Sequence, residues 1–271
     1  MKKDALIIVR GGGDLATGTI HRLWSAGLRV LVLETTQPAA IRRQVALCEA
    51  VYEGEATVEG LRAVRIEALE QAQSVWAQGA VPVLVDPEGA CIARAKPEVV
   101  VDAILAKRNL GTKMDDAPIV VGIGPGFTAG EDCHAVVETM RGHTLGRVIY
   151  RGSALPNTNI PGLIGGYAGE RVLRAPAEGI FCQKLEIGAV VRAGDIAGEV
   201  AGQPMRCTID GVLRGILADG TPVFRGMKAG DVDPRCKPEY CTTASDKALA
   251  VGGGVLEAVL HLHHQHPKTG K

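Results

Sequence analysis

The apolar positions of the first hundred residues follow two alternating rhythms. Short β-branched runs at 6–9, 30–33, 63–66 and 81–84 have the length and continuity of strands buried on both faces. Between them, apolar residues at three- and four-residue intervals predict helices near 19–26, 39–48, 69–78 and 99–107. The stretch 91–93 is a further strand candidate, 119–123 reads as another buried strand, and a helix is predicted over 134–140. Alternation of this kind predicts an α/β fold, a Rossmann-like doubly wound parallel sheet.

Residues 173–235 have a different pattern. The segment EGIFCQKLEIGAVVRAG (178–194) lies on DGVLRGILADGTPVFRG (210–226) without a gap. Gly179 meets Gly211, Gly188 meets Gly220, Val191 meets Val223 and Gly194 meets Gly226. Two β half-motifs with matching glycine turns predict a small pseudo-symmetric module resembling the biotinyl/lipoyl-like barrel-sandwich. Carriers of that fold present a modifiable lysine between the halves. This chain has no lysine between Lys184 and Lys228, so a structural or docking module without covalent cofactor is expected. A terminal helix follows, with Ser245 as its N-cap. Gly252, Gly253 and Gly254 lie inside it, each costing ~1 kcal/mol relative to alanine. That cost points to close approach of another helix, or to backbone exposed for a ligand. The expected regions are 1–172 (nucleotide-binding, with a second glycine turn), 173–235 (sandwich) and 236–271 (helical).

Composition narrows the function classes. The 271 residues carry no net charge, which removes the electrostatic argument for nucleic acid or an anionic membrane as partner. Aromatics are only 3% against 46% hydrophobic residues, so the core must be aliphatic. No apolar run reaches the ~20 residues of a bilayer span. The N-terminal MKKDALIIVRGGG passes directly into a glycine turn rather than a cleavage site. A cytoplasmic protein is expected. Seven cysteines without a C-x-x-C pair fit reduced core thiols.

The first glycine turn is the main chemical signal. Gly11-x-Gly13-x-x-Ala16 follows a strand and opens a helix, as a dinucleotide fingerprint requires. Gly11, Gly12, Gly13, Asp14, Leu15, Ala16, Thr17 and Gly18 are the expected phosphate-binding run, with amides at the helix N-terminus facing the anion. Glu34 ends the second strand, placed to accept ribose hydroxyls. A helix-packing turn with a solvated acid would use the same residues. A second turn spans Gly124 to Gly130, with Gly124 and Gly126 as a further amide cradle or as a plain strand-to-helix turn. Beside it, Asp132 is a candidate helix cap and His134 an anion donor or general acid/base, the pair being the expected catalytic residues. Cys133 reads as a buried thiol rather than a thiolate, and Glu138 and Arg141 as a solvated helical pair. Cys236 and Cys241 lack the ligand set of a structural zinc site. His261, His263, His264 and His266 read as a frayed polar tail, and no metal site is expected.

Several stretches together carry a family resemblance. They are VRGGGDLATG (9–18), VVDAILAKRNLGT (100–112), VVGIGPGFTAGEDCHAVVETMRGHTLGRVIY (120–150), ALPNTNIPGLIGGY (154–167), IDGVLRGILADGTPV (209–223) and SDKALAVGGGVLEAVL (245–260). In these the chain resembles the accessory family of selenium-dependent molybdenum hydroxylases, itself distantly similar to xanthine dehydrogenase accessory proteins. The resemblance implies a maturation factor that binds a nucleotide-bearing molybdenum cofactor, such as a molybdopterin dinucleotide, and assists its modification or insertion. It implies a molybdenum hydroxylase apoenzyme and a sulfur or selenium donor protein as partners. Self-association is left open. The competing readings are an NAD(P)-dependent oxidoreductase and a non-catalytic docking scaffold.

Overall fold

In the computed structural model, which describes residues 5–265, the first apolar run becomes β1 (Leu6–Arg10), followed by α1 (Asp14–Ser25) and β2 (Arg29–Glu34). Next come α2 (Ala50–Glu53), β3 (Glu55–Val58), β4 (Leu61–Ile66), α3 (Ala72–Ala77) and β5 (Val81–Val85). Then follow α4 (Ile92–Ala95), β6 (Val99–Asp102), β7 (Ile119–Ile123), β8 (Thr128–Ala129), β9 (Ala135–Val137), β10 (Val148–Ile149) and β11 (Gly152–Ser153). Nine of these strands form one sheet in the order β10-β9-β7-β6-β1-β2-β5-β4-β3, while β11 pairs with β8. From β9 to β4 every neighbour is parallel, whereas β10 and β3 close the two edges antiparallel. The apolar runs serve this arrangement because Ile7, Ile8 and Val9 are all fully buried, so both faces of β1 are covered.

The expected doubly wound parallel sheet is therefore corrected to a mixed sheet with antiparallel edges. Two predicted helices are strands. Residues 99–107 begin with three valines that form β6 between β1 and β7, and 134–140 contains β9. β-branched side chains suit a strand buried on both faces better than a helix turn. Residues 39–48 form bends and short 3₁₀ turns instead of a helix, and 91–93 leads into α4 rather than a strand.

The described chain divides into two compact units. The first holds the residues up to Pro38, Leu47–Asn157 and those from Ala244 onward; the second holds Ala39–Ala46 and Thr158–Thr243. The last helix, α5 (Asp246–Gln265), belongs to the first unit, and the Ala248 amide donates to the Ser245 hydroxyl at 3.1 Å as its N-cap. The glycines inside α5 permit helix contact. A Cβ on Gly252 would stand 2.5 Å from the Gly18 carbonyl oxygen, and one on Gly254 would strike the Gly146 carbonyl. Gly253 faces open space.

In the second unit β12 (Val172–Arg174), β13 (Gly179–Gln183), β14 (Val190–Val191), β15 (Ile196–Val200), β16 (Gln203–Arg206), β17 (Gly211–Ile216), β18 (Pro222–Val223) and β19 (Lys228–Asp233) follow in turn. The sequence repeat maps onto strands, with β13 pairing β18 and β14 pairing β17. The expected biotinyl/lipoyl-like barrel-sandwich does not follow from it. The region forms two separate four-stranded antiparallel sheets, β12-β19-β17-β14 and β16-β15-β13-β18. Strands outside the repeat complete both sheets, so the two half-motifs are only part of each layer. Phe181, Leu213 and Val232 fill the core, and buried Asp231 takes Arg171 and Arg214 while Asp233 takes Arg214 and Arg235.

Candidate functional site

The chain passes from β1 to its neighbour β2, continues to the sheet edge at β3, returns inward through β4 and β5, and then crosses to β6 on the other side of β1. This reversal is the point in an open α/β sheet where ligands characteristically bind, beyond the carboxyl ends of the strands. The loop after β1 is the first glycine turn. Gly11 has φ 96°, its amide donates to the Leu33 carbonyl at 2.8 Å, and a Cβ there would stand 2.9 Å from the Ala103 carbonyl oxygen. Gly12 is equally enclosed. Its carbonyl accepts from the Cys48 amide at 2.9 Å, and a Cβ would stand 3.0 Å from that nitrogen. Gly13 differs: nothing lies within 4 Å of where its Cβ would be. It is the N-cap of α1 at φ −65°, ψ −178°, and as a glycine it brings no side chain to cap the helix.

Of the eight residues expected to hold phosphate, Gly13, Asp14 and Leu15 keep solvent access and the other five are buried. Thr17 is occupied within the fold, donating to the Gly12 carbonyl at 3.2 Å and accepting from the Leu47 amide at 3.0 Å. Gly18 lies against Ala248 of α5, so it serves helix packing. Glu34 comes to the turn as expected. Its two carboxylate oxygens accept from the Gly12 amide at 2.6 Å and the Thr35 amide at 2.8 Å. Burial pushes the carboxyl above its ordinary 4.5, against the pull of those two amides. Each oxygen retains a second lone pair.

Behind the turn lies a buried trio that the residue pattern did not single out. Arg10 and Asp102 end adjacent strands in register. Arg10 Nη1 donates to Thr112 Oγ1 at 2.6 Å, and Thr112 Oγ1 donates to Asp102 Oδ2 at 2.6 Å. The signal was present as two charges terminating apolar runs, but the pairing depends on strand order.

The second glycine turn has another character. Gly124, at φ 78°, would place a Cβ 2.8 Å from Thr139 Oγ1. Gly126, at φ 113°, would place one 2.6 Å from the Arg108 backbone nitrogen. No helix follows, so Asp132 does not cap one. It accepts from the Thr128 amide at 2.7 Å and the Asn109 amide group at 3.3 Å, bracing the loop. His134 is half-buried just before β9, with Nδ1 accepting from the Val120 amide at 3.0 Å. Cys133 is fully buried, and burial pushes its thiol up to about 11. Glu138 is buried with its carboxylate on the Met140 and Leu155 amides, and Arg141 pairs with Asp246 at 2.8 Å instead.

Cys236 is exposed while Cys241 is buried, its Sγ 3.9 Å from the Leu213 carbonyl. His261, His263 and His264 lie in α5 rather than a frayed tail, and His266 falls outside the described residues. Among the described residues no three His, Cys, Asp or Glu side chains are grouped to share a metal ion. No helix among them is long and apolar enough to cross a membrane.

No family model matches the chain. It is 47% identical over 266 residues to an uncharacterized protein of Escherichia coli K12, YqeB. That match covers 98% of this chain and 49% of the relative, so the chain spans about half the relative's length. Among solved structures, an ectoine utilization protein of Ruegeria pomeroyi is 10% identical, with 84% of this chain and 86% of that one covered at a TM-score of 0.26. An aspartoacylase family protein of Mesorhizobium loti is 11% identical, with 85% of each chain covered at a TM-score of 0.28. Superpositions this loose transfer neither fold nor activity.

These findings correct the family resemblance. The relative matched over 98% of this chain is an uncharacterized protein, and none of the similar proteins named above is a molybdenum hydroxylase accessory protein. In the second turn, the positions a Cβ would take on Gly124 and Gly126 are met by the Thr139 side chain and the Arg108 backbone, while Gly130 faces open space. The role in maturing a selenium-dependent molybdenum hydroxylase is set aside.

Proposed function

We propose that this protein binds a nucleotide-bearing ligand at the carboxyl end of β1, with a phosphate at Gly13–Leu15 and ribose hydroxyls at Glu34. The observation that carries the reading is the contrast within one turn. Gly11 and Gly12 are pressed by backbone, while the space over Gly13, the N-cap of a twelve-residue helix, is empty. First-turn amides have no partner inside the helix, and the aligned peptide dipoles favour an anion there. Glu34 holds the Gly12 amide through one lone pair of Oε1 and can accept a hydroxyl through the other. Seven unpaired cysteines support a cytoplasmic setting.

The test is calorimetric titration of the chain and of Gly13→Val with ADP and with adenosine. ADP is expected to bind, adenosine to bind at least about tenfold more weakly, and Gly13→Val to lose ADP while keeping its circular dichroism and melting behaviour. A valine there fits the extended φ and meets no atom, so loss of binding would not reflect unfolding. Equal affinity of variant and parent, or no saturation by ADP, overturns the reading.

A further inference from the structure

At the opposite end of the same strands lies a cavity of about 230 Å³. It is lined by both tryptophans of a chain whose aromatic content is only 3%. Their meeting arises from an internal repeat. LWSAGLRVLVLE (23–34) and VWAQGAVPVLVD (75–86) align without a gap, each closing a helix and opening a strand.

Both helices end in the same way. Gly27 at φ 79° donates to the Trp24 carbonyl and Leu28 to the Leu23 carbonyl; Gly79 at φ 73° donates to the Trp76 carbonyl and Ala80 to the Val75 carbonyl. Since β2 and β5 are parallel neighbours, the two indoles come to one place. Each then braces the other copy, Trp24 Nε1 donating to the Gly79 carbonyl at 3.0 Å and Trp76 Nε1 to the Val30 carbonyl at 2.8 Å. With both N–H groups held, the rings are fixed in orientation and line the cavity with π surface.

One charged side chain lines the cavity. Arg29 is half-buried, its guanidinium carbon 5.9 Å from the centre of the Trp76 ring. Among the described residues no carboxylate pairs with it. A guanidinium held over an indole at this distance keeps its N–H donors available for a bidentate carboxylate. The volume suits one ring and a small substituent, since an apolar cavity of about 150 Å³ accommodates benzene.

We propose that this cavity is a second binding site, taking a small planar aromatic carboxylate between Trp24 and Trp76 with its acid group on Arg29. It is separate from the glycine turn, because the six residues of β2 hold the two ends about 20 Å apart.

The test uses the full chain with benzoate, benzamide and benzylammonium as probes, read by tryptophan fluorescence and by calorimetry. Because the chain's two tryptophans both line the cavity, the optical signal reports on it directly. Benzoate is expected to saturate the signal and to bind on the order of tenfold more tightly than benzamide, a difference the charge-assisted pair supplies. Arg29→Gln should bring benzoate down to the benzamide level while leaving benzamide unchanged. Preference for benzylammonium would mean that the carboxyl ends of the helices dominate, and it overturns the proposal. So would the absence of saturation by benzoate, or unaltered benzoate binding by Arg29→Gln.

Discussion

The two glycine turns of the first unit look alike as sequence and are opposites as structure. Gly11-Gly12-Gly13 and Gly124-Pro125-Gly126 each follow a buried strand, with positive φ at Gly11 in the first and at Gly124 and Gly126 in the second. The first opens a helix at the point where strand order reverses, and its last glycine faces empty space. The second leads to another strand, and its glycines admit Thr139 and the Arg108 backbone to contact distance. Glycine spacing reports a backbone that must turn; what enters the space left by the missing Cβ is decided by distant chain.

The largest expected effect lies in the closed turn. Gly126→Ala meets both a forbidden φ and a backbone nitrogen 2.6 Å away, so neither atom set can yield cheaply. We expect a loss of about 3 kcal/mol or more in urea unfolding. A loss below about 1 kcal/mol would mean that the second turn has room, and that the contrast with the first is overstated.

His134→Ala sharpens the same contrast. The ring accepts the amide of Val120, a residue fully buried in the middle of β7, and its removal leaves that donor unsatisfied. The expected cost is about 1–3 kcal/mol, with ADP affinity unchanged. A tenfold fall in ADP affinity at unaltered stability would return His134 to the ligand site.

Much of this was legible in the sequence. The β1–turn–α1 unit, the strands β2, β4, β5 and β7 and the packing glycines of α5 follow from local rules: continuous apolar runs, a fingerprint in context, and a helix cost that close approach of another helix can offset. The failures were also physical. Val99-Val100-Val101 and Ala135-Val136-Val137 are apolar enough for either period, and pairing with neighbouring strands decided for β. Arg10, Thr112 and Asp102 meet because β1 lies beside β6, a fact of topology that no spacing encodes. The cavity between Trp24 and Trp76 was missed for the same reason, although the repeat that builds it is visible in the letters.

Within the open turn, Glu34 predicts a pH dependence. Its folded carboxyl lies above the ordinary 4.5 because burial disfavours the charge. Between the two values the native chain keeps a proton that the unfolded chain has released. The resulting stabilisation is fully present below pH 4.5 and is lost as pH rises through the folded value. Relative to Glu34→Gln, wild-type unfolding free energy should fall with rising pH in that window, by no more than about 1.4 kcal/mol per pH unit. A difference that grows with pH would show that the amide bonds from Gly12 and Thr35 outweigh desolvation.

Gly13→Asp should have the smallest effect on folding, and it distinguishes an open site from an unimportant one. The extended φ and ψ of Gly13 suit an N-cap side chain, and nothing obstructs a Cβ. An aspartate there can accept first-turn amides, and it narrows the unfolded ensemble relative to glycine. Together these should stabilise the chain by roughly 0.5–1 kcal/mol. The same carboxylate would occupy the amides that a phosphate requires and repel it, so ADP affinity should fall by at least about tenfold. Opposite signs for folding and binding at one residue are what an unfilled anion site requires. If Gly13→Asp stabilises the chain and leaves ADP affinity intact, the phosphate lies elsewhere, and the two glycine turns differ only in packing.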